Sequence, residues 1–256
     1  MSRRILVSGG ILVFLLAMTG VAFGETNFSI SPPPIASPTF EAGKGYMKFR
    51  GSYISVEAPG LELSGAGFDF VPRTALSDML ALDGQVGLFV LSGDMDMGGI
   101  KGDMSTMSLR LNFNLEVQPV KTDNVALIML VGPAFDFGFS TVEYYNAFYS
   151  ATETTYIDTV QYGLQVGMQL GIKAGDFHID PFVLVSTMEG SSDISSTYGG
   201  DSSSDIDAYT TTSMGLDIEY VPWSLTLSSI VQATDDSGSS NGADVEIYQL
   251  GWRKDF

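Results

Sequence analysis

The sequence has 256 residues, of which 45% are apolar, so it can bury a sizeable core in one β domain or in two smaller domains. It carries 12 basic and 30 acidic residues, and its net charge of −18 makes nucleic acid an implausible partner. It contains no cysteine, which excludes disulfides, thiolate nucleophiles and thiolate metal sites.

The N-terminus has the layout of a cleaved secretory signal peptide, which we predict to cover residues 1–24. Two arginines precede an apolar stretch at residues 5–17, and the small residues Ala22 and Gly24 precede the predicted cleavage site. An uncleaved anchor is the alternative, but the apolar stretch is shorter than the roughly 20 residues of a spanning helix. Residues 25–43 are rich in proline and serine, so we predict an extended periplasmic leader.

From residue 44 onward, apolar and polar side chains alternate with a period of two, as in β-strands that have one apolar face. In the clearest segment, 103–117, the apolar face carries Met107, Leu109, Leu111, Phe113, Leu115 and Val117. We predict strands at residues 46–56, 61–71, 85–92, 103–117, 125–139, 154–173, 177–187, 209–221, 223–233 and 245–256. Residues 44–256 are therefore predicted to form an all-β, transmembrane, antiparallel up-and-down barrel of about ten strands, with eight or twelve as alternatives.

The predicted connections differ in character at the two ends of the barrel. Those at residues 72–83, 119–124, 174–176 and 221–223 are mostly short, whereas those at 94–102, 143–153, 189–207 and 235–242 are longer and rich in Ser, Gly and Asp. Outer-membrane barrels have short periplasmic turns and longer outer loops, which fixes the expected orientation.

The last strand carries the family resemblance. Phe256 is the terminal residue, and it is preceded at alternate positions by Trp252, Leu250 and Tyr248, with Lys254 as the one departure. This pattern resembles the closing strand of small bacterial outer-membrane β-barrel proteins. The resemblance implies an outer-membrane location, a lipid bilayer as partner and recognition by the barrel-assembly machinery, but it identifies no subfamily.

Two pairs of titratable residues raise the possibility of an enzyme. Asp94 with Asp96, and His178 with Asp180, resemble the aspartate pair and the aspartate–histidine pair of the omptin outer-membrane proteases. Our strand directions place the two pairs at opposite mouths of the barrel, whereas a general base must reach the group that it deprotonates. We therefore predict no enzyme and no catalytic residues, and interpret His178 as an interfacial histidine.

The predicted outer loops are acidic. Four aspartates supply oxygen ligands of the kind that Ca²⁺ prefers, namely Asp193, Asp201, Asp205 and Asp207. No ordered calcium-binding motif surrounds them, so a solvated, mobile loop is the favoured interpretation. We predict no cofactor, with Ca²⁺ on these loops as the possible exception, and an extracellular partner of unknown identity.

The predicted barrel interior is charged in its periplasmic half. Alternation directs six charged residues inward: Lys48, Arg50, Glu116, Asp217, Glu219 and Arg253. Such a set favours a paired network that plugs the lumen over a selectivity filter. The sequence therefore predicts a barrel with a structural or surface-interaction role. A small passive, cation-preferring channel is the alternative, and an omptin-like enzyme is a remote alternative.

Overall fold

The structure is a computed structural model that describes residues 42–97, 100–146, 150–197, 200–235 and 243–256. The predicted signal peptide and nearly all of the predicted leader lie outside the described residues. Within the described ranges, no helix is long and apolar enough to cross a membrane.

Ten antiparallel strands make up the described part of the chain. They are β1 Gly45–Ala58, β2 Leu61–Ala75, β3 Leu80–Met97, β4 Ile100–Lys121, β5 Val125–Asn146, β6 Ala151–Ala174, β7 Phe177–Ser196, β8 Gly200–Tyr220, β9 Leu225–Asp235 and β10 Asp244–Asp255. Each strand pairs with its neighbours in the chain, and β10 pairs with β1 to close the barrel. The predicted all-β, up-and-down barrel of ten strands is confirmed.

The outer surface of the sheet is a belt of large apolar side chains. Leu164, Val166 and Leu227 are 63%, 56% and 60% exposed, although side chains of this kind are normally buried in a water-soluble protein. A period of two sends their chain neighbours into the barrel, so each strand has an apolar outer face and a different inner face. This is the surface that a barrel presents to lipid.

The strands are longer than the sequence predicted, and three of the four predicted long loops are mostly strand, while the fourth, 235–242, lies almost entirely outside the described residues. Residues 189–207 form much of the β7–β8 hairpin, in which Ser191 pairs with Asp205 and Asp193 with Ser203. The predicted connections 94–102 and 143–153 are likewise mostly strand, and the predicted turn 72–83 shrinks to residues 76–79. Beyond the lipid, water meets both strand faces, so the alternation ends although the backbone ladder continues.

The barrel is taller on one side. Strands β4 to β8 have 20 to 24 residues, whereas β1, β2, β9 and β10 have 11 to 15. A tilted strand needs only about 9 to 11 residues to cross a bilayer. We name the end with connections 76–79, 122–124, 175–176 and 221–224 the periplasmic end, following the predicted orientation, and the opposite end the outer end.

Candidate functional site

Charged side chains fill the periplasmic half of the lumen and meet in oppositely charged pairs. The Nζ atom of Lys48 in β1 lies 3.0 Å from Oδ2 of Asp217 in β8, and both side chains are fully buried. The Nε atom of Arg50 lies 2.7 Å from Oδ1 of Asp69, again with both side chains fully buried. A buried charge without a partner would be strongly destabilising, so pairing is what allows these residues to stand inside the barrel.

Arginine supplies the cation in further pairs along the lumen. The distances are 2.5 Å from Arg73 Nε to Glu116 Oε2, 2.8 Å from Arg253 Nη1 to Glu219 Oε1, and 3.8 Å from Arg110 Nη1 to Asp136 Oδ2. Both the Arg73 and the Arg253 pair reach past an intervening strand. Lateral links of this kind tie the strands together across the lumen as well as along the sheet.

The structure places all six sequence-predicted lumen residues inside the barrel, and two of the observed ion pairs, Lys48–Asp217 and Arg253–Glu219, join two members of the predicted set. Arg50 and Glu116 pair with Asp69 and Arg73, which were not among the predicted lumen residues. Arg73 was missed because residues 72–83 were predicted to form a connection.

A layer of amide side chains adjoins the charged pairs. Asn112 donates a hydrogen bond of 2.7 Å to Gln85, and Gln165 donates one of 2.6 Å to Asn114. Arg110 donates to the Asn112 side chain at 3.1 Å. These bonds satisfy polar groups that would otherwise be buried without partners, so the layer is consistent with a filled interior.

Above the charges, the lumen of β1–β3 and β9–β10 is filled by apolar side chains. This cluster, which we name the apolar septum, consists of Ile54, Val56, Leu61, Leu63, Phe89, Leu91, Phe182, Ile230, Ala243, Val245 and Ile247. Phe89 in β3 and Phe182 in β7 enter it from nearly opposite sides of the barrel. Gly67 and Gly87 lie against the Phe89 ring, and a side chain at either position would clash with it. This apolar layer inside the lumen was not predicted from the sequence.

A row of carboxylates runs around the outside of the barrel near the outer end. It follows the register of six neighbouring strands through Asp244, Glu57, Glu62, Asp94, Asp103 and Glu143. On most of these strands a serine or threonine separates the carboxylate from the apolar belt, as Ser92 does between Val90 and Asp94. We name this row the acidic row. It marks where the outer surface changes from apolar to charged.

The aspartates predicted to bind calcium lie on the outer end of β7 and β8. Asp193 stands directly opposite Asp158 on β6 and Ser203 on β8, while Asp201 and Asp205 are exposed on the same hairpin. In the described part of the chain, no group of three or more acidic or histidine side chains is arranged to hold a metal ion. Calcium binding by Asp193, Asp201, Asp205 and Asp207 stays a prediction.

The two pairs that resemble the omptin residues are far apart along the barrel. Asp94 and Asp96 lie exposed on the outer half of β3, whereas His178 and Asp180 are buried near the periplasmic start of β7. The His178 Nδ1 atom lies 3.9 Å from Oε2 of Glu219, within the lumen network. The structure therefore does not bring these four residues into one cluster, and His178 is an interior residue, not the interfacial one that the sequence predicted.

The C-terminal strand closes the barrel with its apolar side chains outward. Tyr248, Leu250, Trp252 and Phe256 are each about half exposed. The backbone N–H of Phe256 donates to the Gly45 carbonyl at 2.9 Å, and the Gly45 N–H donates to the Phe256 carbonyl at 3.1 Å. The terminal residue is thus part of the seam between the last strand and the first.

Comparison with known proteins identifies the fold but no close relative. No family model and no curated sequence matches the chain. Among solved structures, it is similar to the outer-membrane protease OmpT of Escherichia coli, with a TM-score of 0.59, 10% identity, and coverage of 87% of this chain and 99% of that one. It is also similar to OprG of Pseudomonas aeruginosa, with a TM-score of 0.43, 11% identity, and coverage of 86% and 99%.

The closed sheet, the apolar outer belt and the likeness to the OmpT fold define the class of the protein. It has the fold of a bacterial outer-membrane β-barrel, built from ten strands. The outer membrane and its lipid bilayer are accordingly the setting of this chain. At such low identity the likeness to OmpT extends to the fold alone.

Proposed function

We propose that the protein is a closed outer-membrane barrel with a structural or surface-interaction role. The observation that carries this proposal is the double barrier in the lumen, where buried charge pairs are followed by the apolar septum. A permeating ion would have to displace the paired charges and then pass the septum, whose apolar side chains cannot coordinate it. Apolar constrictions close channels by excluding water, so either barrier alone opposes conduction.

In this proposal the working surface is the outer end of the tall side. The β5–β6 and β7–β8 hairpins extend beyond the length needed to cross a bilayer. Their outward faces carry Asp158, Asp193, Asp201 and Asp205 in exposed positions. Such a surface suits a partner of positive charge, with Ca²⁺ as one candidate, and attraction would act over only about 8 Å at physiological salt.

Assembly is proposed to follow the route of other barrels that end in phenylalanine. Tyr248, Leu250, Trp252 and Phe256 form an outward apolar row on β10, next to the strand that closes the sheet. A row of this kind is available to the barrel-assembly machinery until β10 and β1 have paired.

Electrical recording in planar bilayers tests the closed lumen. We expect the reconstituted mature protein to show no steady conductance at neutral pH, with an open porin reconstituted in parallel as the positive control. Protection of the strands from added protease would verify that the silent protein is inserted and folded. Steady conductance with a cation-selective reversal potential would overturn the closed barrel.

A small passive cation channel is the second candidate, and the sign of the interior charge favours it. Asp83 and Asp180 are buried in the lumen in addition to the carboxylates that have cationic partners. Carboxylates that line a continuous path select cations. An omptin-like activity is a more distant candidate, because its residues would have to meet across the length of the barrel.

A further inference from the structure

The carboxylates near the periplasmic start of β7 and β8 outnumber the cations that face them. Asp180 stands directly opposite Asp217, and their Cβ atoms are expected roughly 5 Å apart in such a pair. Lys48 pairs with Asp217 and Arg253 pairs with Glu219, so both of these cations are already engaged. One negative charge, that of Asp180, is left over.

Asp180 is fully buried, and no side chain of the described residues forms a hydrogen bond with either of its carboxylate oxygens. The backbone N–H of Ile172 donates to the group, which leaves its charge without a cation of its own. Its charged neighbours are Asp217, Lys48 and Glu219. A carboxylate so placed is destabilising unless something else neutralises it.

A further oxygen ligand stands on β9, the strand next to that of Asp217. The Thr226 hydroxyl is buried and has no hydrogen-bond partner in the described part of the chain. Thr226 pairs with Glu219 in the sheet, and the next inward residue of its strand, Ser228, pairs with Asp217. Carboxylate and hydroxyl oxygens are the ligands that hard cations prefer.

We propose that Asp180 and the opposing Asp217, with the Thr226 hydroxyl on the next strand, form a binding site for a small monovalent cation such as Na⁺ inside the periplasmic half of the lumen. A single positive charge balances the excess carboxylate, whereas a divalent ion would leave an excess of the opposite sign. A proton is the competing occupant, because a protonated Asp180 could donate a hydrogen bond to the Asp217 carboxylate opposite it, and the comparison of sodium with acid below distinguishes the two.

The site goes beyond the proposed function, because an ion can be held at equilibrium whether or not the barrel conducts. It also needs no group of three acidic ligands, since water and backbone carbonyls complete the coordination of hard cations in proteins. Conductance and equilibrium binding are measured separately, so failure of one proposal is distinguishable from failure of the other.

Equilibrium dialysis with radioactive sodium tests the site in the full mature protein. We expect saturable Na⁺ uptake by the wild type, loss of that uptake in Asp180→Asn, and unchanged uptake in Asp123→Asn, which removes an exposed charge from the periplasmic turn 122–124. Circular dichroism would verify that each variant retains its sheet. Absence of saturable uptake by the wild type, its persistence in Asp180→Asn, or its loss in Asp123→Asn would each overturn the proposal.

Thermal unfolding gives a second readout that does not depend on tracer uptake. Because a ligand that binds only the folded state raises the unfolding temperature, wild-type protein should unfold at a higher temperature in NaCl than in N-methylglucamine chloride of equal ionic strength. Asp180→Asn should show no such difference. A wild type that is stabilised by acid but insensitive to sodium would show that a proton occupies the site and would overturn the proposal.

Discussion

Individual lumen residues contribute to stability through their partners more than through their own burial. Lys48 and Asp217 are both fully buried and lie 3.0 Å apart, whereas Lys101 is 82% exposed and lies 3.6 Å from Asp96. Removing one member of a buried pair leaves an uncompensated charge and costs about 3 to 5 kcal/mol, whereas exposed pairs contribute at most about 1 kcal/mol. The two lysines therefore form a matched comparison.

Replacement of Lys48 tests the energetic role of the lumen network. We expect Lys48→Met to lower the free energy of unfolding by about 3 to 5 kcal/mol, and Lys101→Met to change it by less than about 1 kcal/mol. Adding Asp217→Asn to Lys48→Met should recover much of the loss, because the unpaired carboxylate is gone while the Ser228 hydroxyl keeps a partner. Urea unfolding in lipid vesicles measures all three, and equal losses for both lysines would contradict a buried network.

At the scale of the strand, the polarity of the outward side chains changes with their position along the barrel axis. Along β3, the outward positions are apolar up to Val90, then Ser92, and then Asp94 in the acidic row. The other strands of the acidic row change in the same register, so six neighbouring strands share this boundary. Adjacent carboxylates repel, which is tolerable where water and salt screen them but not within hydrocarbon.

Arginine substitutions on the outer face test this boundary. Val166 lies within the apolar belt, whereas Ser191 lies on β7 beyond the last apolar residues. We expect Val166→Arg to destabilise the barrel by about 2 to 4 kcal/mol, and Ser191→Arg by about 1 kcal/mol or less. Reversible unfolding in vesicles gives both values. A larger loss at Ser191 would mean that the bilayer covers a different part of the sheet.

For the whole molecule, the sequence predicted which face of a strand a residue occupies, because this depends on alternation alone. It did not predict which residues pair across the lumen, because this depends on the register between strands. A period of two made Leu111 an outward residue and Arg50 an inward residue without knowledge of the partner strands. The pairs of Arg50 with Asp69 and of Arg73 with Glu116 depend on neighbouring strands and on side-chain reach, which no local pattern specifies.

The apolar septum was missed for a related reason. In β2, the inward residues Leu61 and Leu63 alternate with the polar residues Glu62 and Ser64, so the local pattern by itself favours the lipid face for the apolar side chains. The outer hairpins were interpreted as loops because polar residues occupy both of their faces. The excess carboxylate at Asp180 likewise becomes visible only after each cation has been assigned to its partner.

Single-cysteine labelling tests whether the barrel spans the outer membrane with the β7–β8 hairpin outside the cell. The chain has no native cysteine, so Asp193→Cys and Asp123→Cys each introduce a unique thiol, at the outer end and in the periplasmic turn 122–124. We expect a membrane-impermeant maleimide to label Asp193→Cys in intact cells, and Asp123→Cys only after the outer membrane has been permeabilised. Labelling of Asp123→Cys in intact cells while Asp193→Cys stays protected would show that the barrel is inserted in the opposite orientation.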